Sequence, residues 1–146
     1  MKAIRSLTSD ALRTRIMRNN RASGNQSTEL RLIELMSEAR ISGWRRHSML
    51  FGRPDFVFPK ARVAVFVDGC FWHGCSCKRT PTANSAFWVQ KVLTNRSRDR
   101  RVSRILRDRG WQVIRIWEHQ LKKNPRRVLL RIARSVGTLL EIDRLA

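Results

Sequence analysis

The sequence predicts a mixed α/β or α+β fold, a single mixed sheet flanked by helices, with elements in the order α-β-β-β-α-β-α. Three observations predict it. Apolar residues recur at helical spacing from Ser27 or Thr28 to Gly43, over 85–109 and over 126–143. Short β-branched or aromatic runs fall at 44–49, 56–58, 63–67 and 111–117, bounded by glycine, proline and asparagine. Helices and strands interleave without internal repeats, which suits a mixed sheet and leaves α/β and α+β both open.

Residues 1–26 are polar and basic, carrying Arg5, Arg13, Arg15, Arg18 and Arg21 and closing on Ser23-Gly24-Asn25-Gln26. They read as an N-terminal arm outside the core. Residues 27–146 read as one domain, because a chain of 146 residues suits one hydrophobic core better than two. The first helix starts at Ser27 or Thr28, both good N-caps, and carries Leu30, Leu32, Ile33, Leu35, Met36 and Ala39 as an apolar stripe. Gly43 is its expected end.

The strand-like segments follow: Trp44–Met49, then Phe56-Val57-Phe58, then Val63-Ala64-Val65-Phe66-Val67, with turns at Gly52-Arg53-Pro54 and Pro59-Lys60. The last run is apolar throughout, as expected of a strand buried on both faces, and is placed at the centre of the sheet. Residues 68–83 hold all three cysteines and read as a structured loop with too few apolar side chains to hold itself together.

Asn84 is positioned to cap a long helix over 85–109 that stops at Gly110. Seven arginines crowd its second half (Arg96, Arg98, Arg100, Arg101, Arg104, Arg107, Arg109), against Asp99 and Asp108. A solvated face would not need that imbalance; a phosphate-facing ridge would. Trp111–Trp117 reads as the last strand, and a helix over 126–143 follows Pro125.

Charge narrows the partners. Lys and Arg number 31 and Asp and Glu 11, a formal net charge of +20, which points to a polyanion, nucleic acid foremost. No apolar run approaches the ~20 residues that span a bilayer, and Met1-Lys2-Ala3-Ile4-Arg5 opens no secretory leader. A cytoplasmic, nucleoid-associated location is expected, with no membrane partner.

Two constellations carry chemistry. Cys70, Cys75 and Cys77 form a tight odd-numbered cluster that suits a metal better than disulfides, and a fourth soft donor, His119 or His73, would complete a tetrahedral zinc site. The second is a pair of acids. Asp55 opens one strand and Asp68 closes the next, so adjacent strands would bring their carboxylates together on a basic protein. Like-charge repulsion makes such a pair poor structural material but a good Mg²⁺ site, with Glu29 on the first helix acting through a water. The aromatics Phe71 and Trp72, lodged in the cysteine loop among basic residues, are candidates for wedges between base pairs, whereas Phe87 at helical spacing fits the core.

The strings Gly52-Arg53-Pro54-Asp55-Phe56-Val57, Phe66-Val67-Asp68-Gly69-Cys70-Phe71-Trp72-His73-Gly74-Cys75, Phe87-Trp88 and Trp117-Glu118-His119 resemble the very-short-patch repair (Vsr) endonucleases. The resemblance covers roughly 11–121 and includes Met17-Arg18 and Thr28-Glu29-Leu30. It implies a restriction-endonuclease-like fold and a nick 5′ to the thymine of a T:G mismatch left by deamination of 5-methylcytosine. It further implies Mg²⁺ on Asp55 and the Val67 carbonyl, His73 as general base, assistance from Glu29, and intercalation by Phe71, Trp72 and Trp88, with Met17 and Arg18 also on DNA.

The zinc set it implies is Cys70, Cys75, Cys77 and His119; the best-known form of the family has histidine at the place of Cys75 and cysteine at that of His119. Asp68 stands where that form has a histidine thought to act in catalysis. The implied partners are mismatched duplex DNA and mismatch-repair proteins, and a monomer suits the nicking of one strand. Two other readings remain alongside it: a restriction or structure-specific nuclease on the same scaffold, and a non-catalytic zinc-stabilised DNA-binding module.

Overall fold

The computed structural model describes residues 28–70, 74–77 and 85–138. The expected arm, 1–26, lies outside the described residues, as do Asn84 and the end of the last expected helix. The elements are α1 (Glu29–Glu38), β1 (Phe56–Phe58), β2 (Val63–Asp68), α2 (Ser85–Asp108), β3 (Gln112–Trp117), α3 (Glu118–Lys123) and α4 (Pro125–Val136). The sheet is mixed, in the order β1-β2-β3, antiparallel between β1 and β2 and parallel between β2 and β3. The run at 63–67 is thus the central strand, as its apolar character implies.

Each β-strand sends alternate side chains to opposite faces, and the two cores follow from that parity. Val63 and Val65 of β2, Ile114 and Ile116 of β3 and Phe56 and Phe58 of β1 face α1 and α4, meeting Leu32, Leu35, Met36, Val128 and Ile132. Ala64 and Phe66 of β2 and Val113 of β3 face α2, meeting Val102 and Leu106. Leu106 is fully buried, and truncating such a leucine costs about 2–5 kcal/mol. The long crossover through α2 is what makes β2 and β3 parallel.

Four elements differ from the sequence reading. α1 stops at Glu38, short of the expected Gly43, with Arg40 in the left-handed region at φ +54°, and α4 stops at Val136, short of the expected 143, closed by Gly137 at φ +71°. Trp44–Met49 does not form a strand: Arg45 makes one isolated bridge to Val57, and His47 then turns into the left-handed region at φ +53°. Trp44 is fixed instead by its indole N–H donating to the Ile41 carbonyl at 3.2 Å and by an edge-to-face contact with Phe56. Conversely, the stretch after β3, expected as a loop, is the short helix α3. The Gln120 side chain accepts a hydrogen bond from the Trp117 backbone N–H at 2.9 Å, which starts it, and Glu118 pairs with Lys122 one turn on. The element order is therefore α-β-β-α-β-α-α within the same mixed-sheet class.

Candidate active site and metal centre

The β2–β3 register locates the metal centre. Asp68 is the partner of Trp117 at the carboxyl ends of the two parallel strands. Cys70 and His119 each lie two residues beyond that rung, so the sheet itself delivers them to one place. Cys70 Sγ is 3.3 Å from His119 Nδ1 and Cys75 Sγ is 3.4 Å from it. The loop turns back through the Cys75 N–H, which donates to the Cys70 carbonyl at 3.0 Å, and Cys77 Sγ comes within 3.0 Å of Cys75 Sγ.

All four donor atoms lie within 4.8 Å of one another. A tetrahedral zinc ion with bonds of about 2.0–2.3 Å needs ligand separations of roughly 3.5 Å, and soft sulfur with imidazole is its preferred donor set. The residues fit the ion. With four protein donors the site is closed, and Cys70 at its base is buried. Of the two histidines the sequence left in competition, His119 joins the cysteines; His73 lies outside the described residues, as do Phe71 and Trp72.

The second site follows from parity on the opposite strand pair. Phe56 pairs with Val65, so Asp55, one residue before β1, comes up against the Phe66–Val67 end of β2. The Val67 N–H donates to Asp55 Oδ2 at 2.7 Å. Asp55 and Asp68 line one open groove of about 270 Å³ together with Val67, Arg98, Asp99 and Arg115. Glu29, His47, Ser48 and Met49 line an adjoining groove of about 290 Å³, to which Asp55 also belongs. The two acids expected to converge do so.

Burial pushes the Asp55 carboxyl up from 3.8 to about 6. The Val67 N–H opposes this, the carboxylates of Glu29 and Asp68 add to it, and Arg115 offsets part. The approach to Asp55 is shaped by Gly52, at φ +78°, where an added Cβ would fall 2.2 Å from Val102 Cγ1 on α2. The Gly-Arg-Pro-Asp turn can therefore lie against that helix only with glycine at its head.

The other expected residues are placed as follows. Glu29 begins α1 and is held by Arg46 at 2.6 Å. Asp68 is buried and gripped by Arg115, whose Nε donates to Oδ2 at 2.7 Å and Nη2 to Oδ1 at 3.0 Å. Trp88, in the first turn of α2, packs edge-to-face on Phe87 with ring centroids 5.1 Å apart; Phe87 is half-buried there, not in the sealed core expected of it. Met17 and Arg18 lie outside the described residues. Arg115, Asp99 and Arg46 escaped the sequence reading as site residues. The signal for Arg115 was available: it is a charged residue inside the strand Gln-Val-Ile-Arg-Ile-Trp, at a position whose parity points to α2.

A mixed sheet with a carboxylate groove at the strand ends, on a strongly basic chain, belongs to the restriction-endonuclease-like class of nuclease folds. The model of a family described as DNA mismatch endonuclease Vsr matches residues 6–79, and the chain belongs to that family. The DNA mismatch endonuclease Vsr of Escherichia coli is 36% identical over 109 residues, covering 72% of this chain and 70% of that protein. The type II nicking enzyme V.NmeDIP of Neisseria meningitidis serogroup C is 36% identical over 115 residues, 77% of each chain. The type II nicking enzyme V.NaeI of Lentzea aerocolonigenes is 49% identical over 69 residues, 47% of this chain but only 42% of that enzyme.

Proposed function

We propose that this protein is a Mg²⁺-dependent endonuclease that nicks one strand of duplex DNA 5′ to the thymine of a T:G mismatch. The observation that carries the reading is Asp55: a carboxyl in an open groove, at the end of a strand pair, with Arg98, Arg53 and Arg115 beside it. Membership of the mismatch endonuclease family supports the substrate. Asp55 and the Val67 carbonyl would hold the ion, hard oxygen donors for a hard cation. Bound there, it would supply Lewis acidity toward the phosphate and its leaving oxygen.

His73 takes the proton of the attacking water, and Glu29, fixed by Arg46, orients water at the rim through the adjoining groove. Phe71, Trp72 and Trp88 enter the base stack at the mismatch, where unstacking costs least. The basic arm, with Met17 and Arg18, grips the duplex at a second place, and the exposed arginines of α2 bind phosphates. Zinc at Cys70, Cys75, Cys77 and His119 is structural and frames the loop that carries Phe71, Trp72 and His73.

The test is cleavage of three otherwise identical duplexes containing T:A, C:G or a central T:G pair, with Mg²⁺ supplied. Nicking of the thymine strand at T:G alone is the expected result. Equal cleavage of matched duplexes would replace mismatch specificity by a restriction-type activity, and no cleavage of any would leave a DNA-binding module.

A further inference from the structure

The loop between Arg45 and Asp55 walls the second groove at Asp55, and one of its side chains is held out into water. Met49 is 88% exposed, the most exposed large apolar side chain among the described residues. It lines the groove of about 290 Å³ that also holds Glu29, His47, Arg53 and Asp55. A lone exposed apolar residue is ordinary on a protein surface. One set on a braced support at the mouth of a carboxylate groove is not.

The bracing is local and specific. Arg45 exchanges both backbone hydrogen bonds with Val57, at 2.8 and 2.9 Å. The Leu50 N–H donates to Ser48 Oγ at 3.1 Å, and the Arg53 N–H donates to the Leu50 carbonyl at 2.9 Å. Leu50 packs its side chain on the core of Ala64, Phe66, Val102 and Leu106, and the Arg109 guanidinium lies 5.6 Å over the Phe51 ring. His47 and Arg53 both hold left-handed backbone, at φ +53° and +49°, which non-glycine residues keep only where the surroundings enforce it. The loop is thus fastened on both sides of Met49 and leaves that one thioether chain projecting.

We propose that Met49 is an apolar contact to the DNA strand being cut, seated against the sugar and base edge of a nucleotide beside the scissile phosphodiester. This rests on the nuclease reading above, which puts that phosphodiester at Asp55, and adds a binding residue to it. Charge selects the occupant: Arg45 and Arg53 are exposed at either end of the loop, on a chain of net charge +20, and both favour a polyanion. Arginine answers the phosphates, whereas the sugars and base edges between them present apolar surface, for which methionine is among the side chains proteins use. Its unbranched, polarisable chain moulds to an irregular surface.

The test is binding of the T:G duplex across a salt series, without Mg²⁺. Met49→Ala is expected to weaken affinity about tenfold, the scale of uncovering one apolar side chain. Its salt dependence should match the parent's, because no phosphate contact is lost. Met49→Leu, apolar and of similar volume, is expected to restore the affinity. A benzophenone amino acid placed at position 49 and photoactivated in the complex is expected to crosslink to the nicked strand beside the nick. Met49→Ala that binds like the parent overturns the inference, and so does Met49→Leu that binds no better than Met49→Ala, or a crosslink confined to the other strand. Each of these leaves the nuclease reading in place, which the parent's own cleavage of the duplex with Mg²⁺ decides. A parent that binds the duplex and never cuts it overturns both. Thermal melts report folding, and with so exposed a side chain they are expected to coincide for all three proteins.

Discussion

The backbone N–H of Val67 donates to Asp55 Oδ2 at 2.7 Å, tying the carboxyl that precedes one strand to the far end of its neighbour. The bond fixes one carboxylate oxygen of a side chain that lines the groove.

Asp55→Asn keeps the shape and an oxygen for the Val67 N–H but removes the negative charge. Mg²⁺-dependent nicking is expected to fall by at least ~10²-fold while DNA affinity is not weakened, because the substitution removes a negative charge and leaves every arginine in place. Single-turnover cleavage and a gel shift on the same mismatched duplex check both halves.

The raised Asp55 pKa also sets a pH dependence for the metal-free protein. Unfolded, the carboxyl ionises near its ordinary 3.8; folded, it holds its proton to about 6. The folded state binds the extra proton in that window, so the contribution is favourable below the lower value and is lost as pH rises through the upper one. Asp55→Asn is therefore expected to be more stable than the parent at pH 7, by no more than about 3 kcal/mol. Denaturant unfolding of both proteins at pH 4 and pH 7 checks it: the gap opens only at the higher pH.

Zinc is expected at roughly one equivalent per chain, resisting mild chelation because its loss is coupled to unfolding of the loop. Cys70→Ser or His119→Ala should lose it and lower the thermal midpoint on the order of 10 °C. Metal analysis alongside a thermal melt measures this, and a metal-free protein with an unaltered melt would contradict it.

Arg100, Arg104 and Arg107 are exposed on one face of α2 at helical spacing. Replacing each by alanine is expected to weaken matched and mismatched DNA alike. The slope of log affinity against log salt should flatten by about 0.9 for each phosphate that is no longer neutralised. Fluorescence anisotropy over a salt series reads the slope directly.

Much of this architecture was legible in the chain. The apolar run at 63–67 announced the central strand, and Gly110, at positive φ, closes α2 as a helix-terminating glycine does; Gly137, also at positive φ, closes α4 inside the helix read over 126–143, a stop the sequence reading passed over. The cysteine cluster announced a metal centre, and the acids at 55 and 68 announced a groove. What stayed hidden depends on residues distant in sequence. Spacing alone left His119 and His73 both open and only the resemblance named His119; what carries His119 to the cysteines is the parallel register, which periodicity along one strand does not contain. The fate of Asp68 needs Arg115, 47 positions away. Trp44–Met49 has strand-like composition, but an edge segment must find a partner for every other N–H, and beyond Arg45 it turns away before it can.

The rung joining Asp68 to Trp117 ties the two sites to each other. Gly69 is all that separates the grip on Asp68 from the first sulfur ligand, and Glu118 all that separates the strand end from the imidazole. The groove and the sulfur clamp are hung from the same two strand ends. Under the zinc reading, a cell's supply of that ion governs the geometry of a reaction in which it takes no part. Thiophilic ions such as Cu⁺, for which thiolates have a strong preference, would then be inhibitors acting from outside the groove, blind to substrate and not relieved by added magnesium.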